Sequence, residues 1–396
     1  MSLLSRPPAN EQLESEASRI TDPIERLQFL QRQSVAVPVA ESIQPVNAVA
    51  PERKTGKFLR VLCFTLILAG LLAPGYQASD AADAVNPPAK PGFAASPADV
   101  VPNIWIVDKS AEYETYSNGL RIDDRYAVSN DPRVFYPVYQ RGAIDPDQPE
   151  WRSEPAGIVY HTTESDQAEF EPSQNGELQR IKKDVLSFIR RNHCYHFFID
   201  RFGQVYRVVR EGDVANHAGY SVWANGQDVY VNLNSSFLGI VFETQTQRSE
   251  DMPSANQAQI HSARVLTQML RAKYHIPAEN CVTHAQVSVN PDNMRIGYHT
   301  DWAGNFPFFE LGLKDNYTVP PPSISVFGFD YDPTFVHATG SRIWQGLALA
   351  EDETQTGAIA SGLTVSEYRS VLRKKYKEII ANLKAAADDK ENHHAS

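Results

Sequence analysis

Cysteine is scarce: Cys63, Cys194 and Cys281 are the only three in 396 residues. That number excludes a disulfide framework and a four-cysteine metal site. One bridge, Cys194 to Cys281, is open to an exported chain, and two buried free thiols are the expected state. An excess of positive charge is also missing. The 37 Lys and Arg against 48 Asp and Glu leave a net charge of −11, and phosphate-backbone binding needs concentrated cations, so a nucleic-acid partner is excluded. Internal repeats are absent. Long apolar runs are lacking except for VLCFTLILAGLLAPGY, which starts at Val61. It holds roughly 14–16 residues against the ~20 of a comfortable transmembrane helix. Arg53, Lys54, Lys57 and Arg60 precede it, the order of an export signal or anchor. It lies far from the start for a standard signal peptide. Two readings stand: an uncleaved anchor behind a cytoplasmic tail, or a signal with AADA (81–84) as its small-residue cleavage site. Either puts the remainder of the chain outside the cytoplasm, in the periplasm or cell envelope.

What is present divides into segments. Residues 1–56 carry Pro, Ala, Ser, Gln and Glu without sustained periodicity, which predicts a disordered cytoplasmic tail. Residues 57–76 are the membrane anchor or signal segment, and 77–102 a Pro/Ala linker. The folded domain is expected over 103–316, entered through a hairpin-rich lead-in in which aromatic and β-branched residues alternate with polar ones around SNG (117–119). Residues 317–396 read as a Pro-rich linker, VPPPS at 319–323, and a helical extension with a solvated or packing helix over Val365–Ala386.

The core pattern is β-α-β-β-β-α-β. GIVYHTT is a buried strand; Glu177–Asn192 places Leu178, Ile181, Val185, Phe188 and Ile189 on one helical face. YHFFIDRFGQVYRVV is a hairpin turning at Asp200–Gly203, and SFLGIVFET a second buried strand. Ser254–Tyr274 is an amphipathic helix entered through a Ser cap. Asn280–His284 is a short strand. The predicted fold class is α/β, a mixed central β-sheet flanked by helices.

Eleven histidines are spread through the chain, and several stand at the ends of predicted elements. His161 ends the first core strand and His284 ends the short one; Asp301 comes later, on a loop that also carries His299. Two imidazoles and a carboxylate meet what a catalytic zinc needs, three N or O ligands and an open position. Such a set also fits non-haem iron, but there the paired His and carboxylate come first, the reverse of the order seen here.

These motifs, IVYHTT, YHFFIDRFGQVYR, NHAGYS, NSSFLGIVFE, THAQ and HTDW, resemble in order and spacing the zinc-dependent N-acetylmuramoyl-L-alanine amidases. That amidase type is shared by bacterial cell-wall amidases, phage lysozyme-amidases and peptidoglycan recognition proteins. The resemblance implies that His161, His284 and Asp301 bind Zn2+. It also implies cleavage of the amide between N-acetylmuramic acid and the L-alanine of the stem peptide, so peptidoglycan or muropeptides are the expected partners. It places Tyr195 near the metal and puts His299 where many members have an oxyanion-stabilising lysine. Asn216 and His217 are implied to line the substrate groove. The general base departs from the pattern: Val241 fills the slot of the usual glutamate. Glu243, one strand step further on the same face, is the substitute expected to deprotonate water. The alternative function is a non-catalytic muropeptide-binding protein of the same fold; such proteins typically lose a metal ligand, and here all three are present.

Overall fold

The computed structural model describes residues 101–246, 255–332, 335 and 341–394. The expected tail (1–56), the apolar segment (57–76) with Cys63, and nearly all of the linker (77–102) lie outside the described residues. Among the described residues no helix is long and apolar enough to cross a membrane.

The lead-in supplies β1 (Ile106–Lys109), β2 (Tyr113–Tyr116), β3 (Arg121–Asp123), β4 (Tyr136–Gln140) and β5 (Glu150–Arg152). The core continues with β6 (Gly157–Thr162), helix α1 (Asn175–Arg191), β7 (Phe197–Ile199), β8 (Val205–Arg207), β9 (Val222–Ala224) and β10 (Asp228–Val231). Next come α2 (Leu233–Ser236), β11 (Phe237–Phe242), α3 (Gln257–Tyr274), β12 (Cys281–Thr283), α4 (His284–Val287), β13 (Val289–Asn290) and β14 (Arg295–Ile296). The C-terminal part adds α5 (Pro322–Ser325), β15 (Asp330–Tyr331), α6 (Ser341–Ala360) and α7 (Val365–His394).

Eight strands form the main sheet in the order β1-β2-β3-β8-β7-β11-β6-β12. Its centre, β7, β11, β6 and β12, is parallel, and the hairpin β7–β8 makes it mixed. Both β6 and β11 are buried along their whole length, which is why their sequences are continuous apolar runs instead of alternating ones. Side chains still alternate between faces. Ile158, Tyr160, Leu238, Ile240 and Phe242 pack in one cluster with Ile260, Leu266 and Leu270 of α3. Phe198, Tyr206 and Val241 pack on the other face with Leu186 and Ile189 of α1. His161 has the parity of Val159 and so belongs to the α1 face.

Helix details differ from the sequence expectation in explicable ways. In α1 the buried residues are Leu178, Ile181, Leu186 and Ile189, whereas Phe188 is exposed. One residue step of about 100° carries it off the stripe that Ile189 continues. Helix α3 starts after Asn256, whose side chain accepts from the Gln259 N–H while the Gln259 amide bonds back to the Asn256 N–H. That reciprocal pair sets the start; the expected cap, Ser254, lies outside the described residues. Strand β12 stops one residue before His284, because Thr283 and Gln286 form the same kind of capping pair and turn the chain into α4.

The segments flanking the core are joined to it. Strand β3 pairs with β8, and buried Arg207 of β8 bridges Glu114 of β2 and Glu211. Strands β5-β4-β10-β9 form a second sheet. Behind the core, β15 pairs with β14. Helix α7 buries Leu372, Tyr376, Ile379 and Ile380, and the Tyr376 hydroxyl donates to the Tyr220 carbonyl at 2.9 Å.

Candidate metal centre

The register of the parallel strands builds the site. Tyr160 of β6 pairs with Thr283 of β12, so the next residues, His161 and His284, stand side by side where the strands end. Crevices at the carboxyl ends of parallel strands are where open α/β sheets hold ligands. The loop after β14 then returns Asp301, with the Ala285 N–H donating to the Asp301 carbonyl at 3.1 Å. Tyr317 pins the next residue by donating its hydroxyl to the Trp302 carbonyl at 2.6 Å.

His284 Nδ1 lies 2.8 Å from Asp301 Oδ1 and 3.1 Å from Oδ2, and His161 Nδ1 lies 3.2 Å from Oδ2. The three side chains are buried, and one donor atom from each falls within 4.8 Å of the others. Among the described residues this is the one cluster of its kind. Burial lowers His161 to a pKa of about 4, assisted by neighbouring His284. Burial works to raise Asp301, but His284 and His161 outweigh it and hold the carboxyl well below its ordinary range. Neutral imidazole and ionised carboxylate are the protonation states in which these groups ligate a cation. The donor set fits Zn2+.

The other predicted site residues surround this centre at different distances. Tyr195 lies in the left-handed region (φ 56°) with its ring 4.9 Å from that of His161. Burial, then the Asp301 charge, raises its phenol far above the usual value, so it stays protonated. His299 stacks on His284, ring centroids 4.7 Å apart and 20° between planes, and its backbone N–H is held by Ser288 Oγ at 3.0 Å. Burial and His284 lower its pKa. His217 is buried behind His161, its Nδ1 3.1 Å from His161 Nε2. Asn216 is exposed and ties its loop to the end of α1 through the carbonyls of His193 and Asn192.

Glu243 is not brought to the three donors. One of its carboxylate oxygens accepts the Arg201 N–H at 3.1 Å, in the turn between β7 and β8. Burial raises it to a pKa of about 7; the Arg201 bond pulls the other way and Asp200 adds to the rise. Strand β11 ends at Phe242, so the strict alternation that would have kept Glu243 on the His161 face no longer applies.

Other residues around the centre went unread in the sequence. Asn234 Oδ1 accepts the N–H groups of His217, Ala218 and Gly219 at 2.7 to 3.0 Å. Asn before a short apolar strand was the only signal for it. Glu164, at φ 50°, accepts from Thr246 N–H at 2.8 Å and closes the ends of β6 and β11. Cys194 and Cys281 are both free thiols, and burial pushes Cys281 up to about 12.

Residues 151–301 match the model of a family described as N-acetylmuramoyl-L-alanine amidase, Amidase_2. This stretch is an Amidase_2 domain. The match contains both histidines and ends on Asp301, so the amidase domain encloses the whole donor set. Comparison with curated proteins finds no match. Among solved structures the chain is similar to the N-acetylmuramoyl-L-alanine amidase LysC from Clostridium intestinale, at 23% identity and a TM-score of 0.26, covering 48% of this chain and 93% of that one. It is also similar to the amidase AmiD from E. coli, solved with an anhydro-N-acetylmuramic acid tripeptide substrate (19% identity, TM-score 0.33, 62% and 98% covered). A third likeness is to the Drosophila peptidoglycan recognition protein SD (17%, TM-score 0.26, 43% and 86% covered). Likenesses at these scores carry no residue role.

Proposed function

We propose that the chain is a zinc-dependent amidase that cleaves the bond between N-acetylmuramic acid and the L-alanine of the stem peptide in peptidoglycan, outside the cytoplasm. The observation that carries this reading is the convergence of one donor atom each from His161, His284 and Asp301 within 4.8 Å, inside a stretch that matches the amidase family. Those three residues would hold the ion, which when bound polarises a carbonyl and lowers the pKa of water towards ~7.

The chain's own side chains supply the remaining chemistry. Tyr195 keeps its phenolic proton and stands beside His161, an O–H donor for the oxygen that gains charge as the amide carbon becomes tetrahedral. His299, neutral at pH 7, has a ring nitrogen able to take a proton from the attacking water and return it to the leaving L-alanine amine. Asn216 and the loop at 217–219, held by Asn234, form one wall. Glu243, bonded into the β7–β8 turn, has no part in this sequence.

The test is digestion of purified sacculi by the full-length protein, read by mass spectrometry. Stem peptides with a free L-alanine amine are expected, and their release should stop on addition of a chelator or with His161→Ala. Glycan fragments, or muropeptides left intact by zinc-loaded protein, would contradict the proposal; the second result would favour a binding protein.

A further inference from the structure

We infer that His217 is a positioning residue that fixes which ring nitrogen of His161 carries the proton, leaving His161 Nδ1 bare to face Asp301. The inference deepens the proposed function and rests on it for the role of His161, but its geometry stands on three hydrogen-bonding groups in series. At the far end is the Phe237 carbonyl, which can only accept, 3.3 Å from His217 Nε2. The His217 proton must therefore sit on Nε2. A neutral ring protonated there has a lone pair on Nδ1, and Nδ1 faces His161 Nε2 at 3.1 Å. His161 must then be the donor, protonated on Nε2. Its Nδ1 carries the remaining lone pair and points at Asp301 Oδ2, 3.2 Å away. A bare nitrogen opposite a carboxylate oxygen in a buried pocket is repulsive until a cation lies between them.

The opposite assignment fails. If His161 carried its proton on Nδ1, to satisfy Asp301, then His217 would have to be protonated on Nδ1, and its Nε2 lone pair would face the Phe237 carbonyl oxygen. The backbone carbonyl decides the series.

The surroundings hold His217 in this role. Its backbone N–H, with those of Ala218 and Gly219, is captured by Asn234 Oδ1. On its inner side lies Gly239 of β11, where a Cβ would come within 2.7 Å of His217 Cγ. A side chain at 239 would push the ring off His161. The Gly239 N–H in turn donates to His196 Nδ1 at 2.9 Å, and the His196 ring packs edge-on against His217 at 5.7 Å. Ligand imidazoles generally have their second nitrogen engaged by a carboxylate or carbonyl; here a second imidazole relays a carbonyl.

The first measurement is a long-range 15N–1H correlation spectrum of the metal-free, full-length chain with labelled histidine. It should show His161 and His217 both protonated at Nε2; an Nδ1–H on either ring would overturn the inference without touching the metal reading. The second is zinc affinity by competition with a chromogenic chelator. His217→Leu should weaken binding by roughly 10–100-fold. His217→Asn, whose Oδ1 falls near the place of Nδ1, should recover most of that loss. Wild-type affinity in the Leu variant, or an Asn variant as weak as Leu, would overturn the inference. His161→Ala binding zinc as tightly as wild type would instead remove the metal reading and leave the tautomer assignment standing.

Discussion

At the residue scale, the site is a set of groups whose protonation is set by what surrounds them. Tyr195 is the clearest case for catalysis. Its phenol is kept protonated by burial and by Asp301, and its ring lies against His161 with no place in the donor set. Tyr195→Phe should therefore lower kcat by roughly 10²–10³-fold while zinc content, measured on the purified variant, is unchanged. Unchanged kcat would remove it from the mechanism. Glu243 makes a prediction of a different kind. Burial lifts its folded pKa to about 7 from an ordinary value of 4.5, so between those values the folded state binds the extra proton. That favours folding at low pH and is lost as pH rises through about 7. Thermal unfolding of wild type should show this fall across the window from about 4.5 to about 7, and Glu243→Gln should flatten it. The same variant should retain sacculus digestion near the wild-type rate. A variant with the wild-type slope, or with digestion abolished, would return Glu243 to the reacting groups.

At the scale of elements, the C-terminal extension behaves as a buttress. Strand β15 lies beside β14, the strand that leads into His299 and Asp301, and α7 reaches the Tyr220 carbonyl next to the 217–219 loop. The extension is locked by a buried ion pair between Arg369 on α7 and Glu351 on α6 (2.6 Å), joined by the Tyr331 hydroxyl of β15. Removing one partner strands the other charge, so Glu351→Ala should destabilise the fold by about 3–5 kcal/mol, measured by urea unfolding. A loss under about 1 kcal/mol would mean the pair is effectively solvated. In the sequence α7 has the pattern of a solvated or packing helix, since its apolar residues are diluted by a strongly basic run. Its buried face is visible only with the partner helix in place.

For the whole molecule, what could be read from the chain tracked periodicity and chemistry. The buried strands β6 and β11, the helices on either face and the β7–β8 hairpin were legible because apolar pattern and turn residues dictate them locally. His161, His284 and Asp301 were legible because donors of the right type close elements that pair in parallel. Three things were not. The bond that Glu243 accepts beyond the end of β11 at Phe242 depends on the β7–β8 turn offering the Arg201 N–H. The role of His217 depends on a carbonyl 20 residues away in sequence, that of Phe237. The joining of residues 104–150 to the core depends on long-range pairing, β3 to β8 and Arg207 to Glu114, for which no local signal exists.

All of these scales meet in one claim, that a single divalent ion is gripped by residues 161, 284 and 301. Zinc titration of the metal-free, full-length protein by calorimetry tests it directly. One ion per chain is expected, with affinity reduced by roughly two orders of magnitude or more in each of His161→Ala, His284→Ala and Asp301→Ala. Absence of stoichiometric binding, or any one of the three variants binding zinc like the wild type, would contradict it.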